Sequence, residues 1–352
     1  MKPLKITATL PLAKFDFSLP ARLIGQQPIK PRDAARLLIL DKITGRIRHR
    51  HFFDLPDLLQ PGDVLVFNDS KVIPARLSGV KDTGGRVEIF LLKPLKPGRP
   101  KAGKQKNNLW QCLIGGKVKP GQEIALSQDV FAKITGRDSA DTWLVEFNAG
   151  DKQLFALGET PLPPYIKAKA KLEDYQTVYA KEAGSVAAPT AGLHFTKKLL
   201  RQLESRGVQI EYVTLHVGLG TFAPVKTENL LEHKMHAEWI EIDRITAGKL
   251  NRAKAEGRRI IAVGTTAVRT LETMADSSGR LGSGNRLTGI FIYPGYKFKF
   301  TDAIITNFHL PRSTLLVLVS AFAGRDKIFS AYREAIKKKY KFFSFGDGMM
   351  IE

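Results

Sequence analysis

The strongest constraint on the fold is a change of pattern partway along the chain. Between residues 64 and 147 the apolar positions come in short runs, VLVFN, ARLSGV, RVEIFLL, LWQCLI, VFAKITG and TWLVEF, with turn residues between them. A small barrel or sandwich has this spacing. From about residue 160 strands alternate with helices. TKKLLRQLESRG, DRITAGKLNRAKAEG, AVRTLETMA and RDKIFSAYREAIKKKY read as helices, and VQIEYVTLHV, RRIIAVG and DAIITNF as strands. Such alternation buries a parallel or mixed sheet beneath helices. The expected fold is therefore α/β, a mixed sheet with flanking helices formed by residues 1–62 and 158–352, carrying an inserted small β-barrel domain over 63–157. SSGRLGSGN (277–285) reads as a polar loop.

Open α/β sheets bind ligands beyond the carboxyl ends of their strands. Three segments with unusual residues end there. The first, HVGLGTFAPV (216–225), contains Gly218-x-Gly220-x-x-Ala223, the spacing of a dinucleotide-binding turn. That turn must open a helix at once, so that free N–H groups face a pyrophosphate. Pro224 instead holds Ala223 extended, and a helix could begin only later, with Thr227 as its cap. The second, GTTAVRT (264–270), has Gly264 to turn the chain and Thr265 or Thr266 to cap a helix. The third is NFHLPRST (307–314), where Ser313 or Thr314 can cap the segment after it. Brought together, these ends would surround one cleft with hydroxyls, His216, His309 and helix N–H donors. Capping alone explains the threonines equally well.

Five of the seven histidines lie between 194 and 309. His233-x-x-His236-x-Glu238 has the look of a ligand cluster but lacks the helical spacing of zinc hydrolases, so acid–base histidines are the preferred reading. The lone cysteine, Cys112 in LWQCLI, excludes an internal disulfide or a thiolate cluster and reads as a small core residue. The longest apolar run, LLVLVSAFAG, is about half a membrane span. MKPLKITATLPLAKFDF has no signal-peptide core. A cytoplasmic chain without membrane association is expected.

Charge points to a partner. The net charge is +21, and residues 71–120 hold twelve Lys or Arg against Asp82 and Glu88. The stretch 94–108 carries Lys96, Arg99, Lys101, Lys104 and Lys106 with no acid, and Arg333, Lys337, Lys338, Lys339 and Lys341 crowd the end of the chain. Polyanions suit such clusters, because neutralised phosphates release counterions. Nucleic acid is favoured over anionic membrane, for which no basic amphipathic helix stands out.

With these segments in view, the chain resembles the S-adenosylmethionine:tRNA ribosyltransferase-isomerase family of queuosine biosynthesis. The matching stretches begin with FDFSLP (15–20), RDAARLL (32–38), LVFNDSKVIPARL (65–77), GSVAAPTAGLHFT (184–196) and LHVGLGTFAPV (215–225). They continue with HKMHAE (233–238), AVGTTAVRTLE (262–272), FIYPGYKF (291–298), NFHLPRSTLLVLVSAFAG (307–324) and FFSFGDGMMI (342–351). Ala267, Ala223 and Gly348 depart from the residues common in that family.

The resemblance implies transfer and isomerisation of the ribosyl part of S-adenosylmethionine onto 7-aminomethyl-7-deazaguanine in a tRNA anticodon. The product would be epoxyqueuosine-tRNA, with adenine and methionine released, no metal required and a monomer sufficient. A base must take a ribose 5′ proton, departing adenine needs a proton or hydrogen bond, and the amine must be neutral. The candidates are His194, His216, His236, His309, Asp69 and Asp347. Thr190, Gly192, Gly218, Gly220, Thr221, Gly264, Thr265, Thr266 and Arg269 would hold the adenosyl group, and aromatics of LHF and FFSF would face the sulfonium. Two rivals share part of this description. An S-adenosylmethionine-dependent RNA methyltransferase lacks its early Gly-rich βα turn here. A nonenzymatic RNA-binding module leaves the His, Thr and Gly at strand ends unexplained.

Overall fold

The computed structural model describes residues 9–95, 108–139, 141–168, 170–218, 225 and 227–352. The basic residues Lys96 to Lys106, and with them Gly220 and Thr221, lie outside these. The chain opens with 3-10 turns, then the hairpin β1 (Arg36–Leu40) and β2 (Ile47–His51), a short helix α1 (Leu55–Leu58), and β3 (Val64–Asn68). After β4 (Ser70–Val72) come β5 (Arg76–Lys81), β6 (Arg86–Leu95), β7 (Asn108–Gly115), β8 (Glu123–Ala125), β9 (Phe131–Arg137) and β10 (Trp143–Phe147). These six close into an antiparallel barrel in the order β10-β7-β6-β5-β8-β9. Alternate residues such as Leu77, Ile89, Trp110, Ile134 and Val145 fill it. Cys112 is among them, its thiol pushed well above the ordinary range by burial.

VLVFN was expected to begin the barrel, but as β3 it runs through the middle of the large sheet. All five of its residues are buried, as a strand covered on both faces requires. The sixth barrel strand is instead EIA, too short to stand out in the sequence.

The chain continues through α2 (Asp151–Leu157), β11 (Glu182–Ser185), which pairs with β4, then α3 (Lys197–Ser205), β12 (Gln209–Leu215) and β13 (Glu238–Ile242). Next come α4 (Arg244–Ala255), β14 (Ile260–Val263), α5 (Thr265–Met274), β15 (Gly284–Thr288), β16 (Ala303–Asn307), α6 (Thr314–Ala323), α7 (Arg325–Lys337) and β17 (Gly348–Ile351). Three helices are capped as their sequences suggest, whereas α5 starts at Gly264 and neither Thr265 nor Thr266 caps it. The Thr196 hydroxyl accepts from Leu199 N–H, Asp243 from Ile245 and Thr246, and Ser313 from Leu316. Gly207 closes α3 at φ +82°. Thr227 caps nothing; Asn229 caps a single 3-10 turn at Leu230–Glu232. The polar segment after α5 ends as the edge strand β15, which begins at Gly284.

The large sheet has nine strands in the order β15-β13-β12-β3-β14-β16-β17-β1-β2. β12, β3, β14 and β16 are mutually parallel, so their carboxyl ends share one edge. β17 runs antiparallel to β16 and parallel to β1, which brings the starts of β17 and β1 to that same edge. No helix among the described residues is long and apolar enough to cross a membrane.

Candidate active site

A cleft of about 650 Å³, counting space open to solvent, lies at this edge. Ala188 to Ala191 form one wall, Gly264 to Thr266 at the start of α5 another, Thr306 to Leu310 beyond β16 a third, and Phe343 and Ser344 a fourth. Tyr165 reaches in from the segment after the barrel, its hydroxyl 2.7 Å from that of Ser344.

Asn307, the last residue of β16, ties the walls together. Its Oδ1 accepts from Thr190 Oγ1 at 2.8 Å, and its Nδ2 donates to the Phe343 carbonyl at 3.2 Å. The same Nδ2 faces His194 Nε2 at 3.2 Å. An amide N–H needs an unprotonated nitrogen opposite it, so His194 carries its proton on Nδ1. Phe343 sits at φ +71°, a left-handed backbone that costs a bulky residue about 1–2 kcal/mol. Its N–H, bonded to the Phe308 carbonyl at 3.1 Å, helps to hold it there.

His309 also faces the cleft. Its Nε2 meets Thr306 Oγ1 at 3.1 Å and its backbone N–H donates to Tyr332 Oη at 2.9 Å. Burial lowers its imidazole to about 3, so the ring is neutral at pH 7. His194 is held at about 3 as well, by burial first and by the nearby Arg32 charge second. It lies one layer behind the wall, stacked on Phe52 with centroids 4.2 Å apart. His216 stacks on Trp239 at 5.0 Å, next to cleft-lining Val217. Burial lowers its pKa, which Glu182 partly offsets. A Cβ on Gly184 would come within 2.9 Å of that ring.

The remaining candidates occupy other positions. Asp69 is buried after β3, accepts from Thr214 Oγ1 at 2.7 Å, and is raised by burial above the usual carboxylate range. Asp347 pairs with Arg36 at 2.9 Å and accepts from the Lys341 N–H, bracing the approach to β17. His236 is exposed. Glu238 is bound to Arg269 and to Gly218 N–H, while His233 packs edge-on to Phe291. Thus HKMHAE forms no ligand cluster, and no three His, Cys, Asp or Glu converge among the described residues. Gly192 lies beneath Tyr179, whose oxygen would be 1.8 Å from an added Cβ. Phe195 is fully buried against Phe52 and Phe67, so of the LHF and FFSF aromatics it is Phe343 that reaches the cleft.

Polar groups without partners lie at the start of α5 and just behind it. Thr266 Oγ1 is buried without a partner among the described residues, as are Nε and Nη2 of Arg269, one helical turn beyond Thr265. Gly264, at φ +91°, caps α5 with no side chain, leaving its first-turn donors without a side-chain acceptor.

The model of the family described as queuosine biosynthesis protein matches residues 12–351. The chain belongs to that family. It is 52% identical over 346 residues to the S-adenosylmethionine:tRNA ribosyltransferase-isomerase of Thermotoga petrophila, covering 97% of this chain and 99% of the relative. The protein of the same name from Moorella thermoacetica is 51% identical with the same coverage. The crystal structure of S-adenosylmethionine tRNA ribosyltransferase from Thermotoga maritima superposes with a TM-score of 0.55 at 40% identity, covering 96% of this chain and all of that one.

In this member of the queuosine biosynthesis family, the residues that join the cleft walls were not all visible beforehand. Asn307 opens the NFHLPRST motif, yet nothing in its neighbours announces that it bonds to Thr190, His194 and Phe343. Tyr165 carries no local signal, since it enters the wall only through the packing of the segment after the barrel.

Proposed function

We propose that the chain transfers and isomerises the ribosyl part of S-adenosylmethionine onto 7-aminomethyl-7-deazaguanine in a tRNA anticodon, releasing adenine and methionine. The carrying observation is the pairing of a neutral, cleft-facing imidazole, His309, with an uncapped helix start at Gly264–Thr266. The names of the relatives supply the reaction class. In this reading Thr265, Thr266 and the α5 N–H donors hold the adenosyl group. Phe343 turns its ring to the sulfonium, and Thr190 and Asn307 keep the walls at a fixed separation. His309 exchanges the proton through Nδ1, which has no partner among the described residues. Burial leaves the ring unprotonated but weakly basic at pH 7, so contact with the substrate must raise its basicity before it takes a proton. The described residues of one chain line the cleft, so a monomer suffices.

The test is incubation with S-adenosylmethionine and tRNA bearing the aminomethyl base. Adenine and methionine should appear only with that tRNA. Thr266→Val should raise KM for S-adenosylmethionine with little change in kcat, whereas His309→Asn should lower kcat. Production of S-adenosylhomocysteine would instead identify a methyltransferase and sink the proposal.

A further inference from the structure

The corner where β1 and β2 meet the cleft edge carries an exposed aromatic pair that the chemistry above does not use. His51 and Phe53 stack with centroids 4.8 Å apart and planes 9° from parallel. Phe53 is 50% exposed. The platform is held in place from below. Asp54 accepts the His51 backbone N–H at 2.9 Å, and Phe52, between the two in sequence, is fully buried against His194. Gly348 leaves room for this, since a Cβ there would come within 2.7 Å of the Phe52 ring.

Cations lie at the same corner as the stack. Arg36 is the cross-strand partner of His51. Its guanidinium lies 4.1 Å over the Tyr340 ring, donates to the carbonyls of Lys338 and Lys339, and pairs with Asp347. Those bonds fix the lysine run to the same corner. Lys337, Lys338, Lys339 and Lys341 are exposed, and none has an acidic partner among the described residues. Lys341 Nζ donates to the Arg22 carbonyl at 2.7 Å, which adds a further exposed cation. The patch is continuous with the cleft, because Phe343 lies two residues beyond Lys341 and lines it. Three strand spacings separate β2 from β16, about 14 Å.

A flat exposed ring beside unbalanced cations matches single-stranded nucleic acid, whose bases offer open faces while its phosphates track the charge. A duplex hides those faces in its own stack. We infer that this corner docks the anticodon loop, one unpaired base stacking on Phe53 while loop phosphates run along Lys338, Lys339 and Lys341. The inference rests on the tRNA reading of the proposed function.

Anisotropy of a labelled anticodon stem-loop with the full chain tests it, with thermal melting to verify folding. Phe53→Ala should weaken binding roughly five- to 150-fold without changing the salt dependence, and Phe53→Trp should keep near wild-type affinity. The triple variant Lys338→Ser, Lys339→Ser, Lys341→Ser should reduce the log–log salt slope by about 2. Wild-type affinity in both Phe53→Ala and the triple variant would overturn the docking surface. So would equal competition by a loopless RNA duplex, or a Phe53→Ala loss that Trp fails to spare. A lysine effect without a Phe53 effect would overturn the stacked base and leave only a phosphate track at this corner. Failure of the wild type to bind the stem-loop at all would instead remove the tRNA reading itself.

Discussion

Acidification from pH 7 to pH 5 should destabilise this chain through two imidazoles. Burial holds His194 and His309 at about 3 in the fold, whereas an unfolded histidine titrates near ~6.5. Because the folded value is the lower one, the unfolded chain takes up protons first. Stability is therefore full above the unfolded pKa and falls as the pH drops toward the folded one. Between pH 7 and 5 each ring accounts for about 2 kcal/mol of loss, and the pair for about 4 kcal/mol. Asp69 acts in the opposite direction, since burial raises its carboxyl and the fold keeps its proton more readily. The assay must therefore be a difference: urea unfolding at pH 7 and pH 5 for wild type, His194→Asn, His309→Asn and the double variant. Any cost of the substitution itself appears at both pH values and cancels. Each single variant should reduce the pH 7-to-5 loss by about 2 kcal/mol, and the double by about 4. Variants with the wild-type pH dependence would refute the claim that these rings are buried and neutral.

Buried contacts give two further expected outcomes. Arg269→Ala leaves the Glu238 carboxylate buried without its ion pair; urea unfolding should show a loss of about 3–5 kcal/mol, and adding Glu238→Gln should recover part of it. A loss below ~1 kcal/mol, the range of an exposed pair, would mean that this pair is solvated. Gly192→Ala drives a methyl group into Tyr179 Oη and should cost about 1–3 kcal/mol. Tyr179→Phe should relieve some of that in calorimetry, and a Gly192→Ala melt equal to wild type would show that the turn can move aside.

Much of the helical layer was readable because its signals are local. Leu199, Leu200 and Leu203 share one face of α3 between the Thr196 cap and Gly207, so neighbours in sequence suffice to define it. β3 shows the opposite case. VLVFN is equally compatible with a barrel interior and with the middle of a sheet. Only its pairing with β12 and β14, whose partners lie well over 100 residues away, decides between them.

Within the site the division is similar. Sequence alone marked the strand ends, the Gly264 turn, Thr265, Thr266 and His309, because glycine and hydroxyl residues after an apolar run have a backbone meaning of their own. It could not separate His309 from His194, His216 or His236. The four are chemically alike, and their differences arise from burial, from Asn307, and from which side of the wall each ring occupies. Those are properties of packing between distant segments, and they exist only once the sheet has brought its carboxyl ends together.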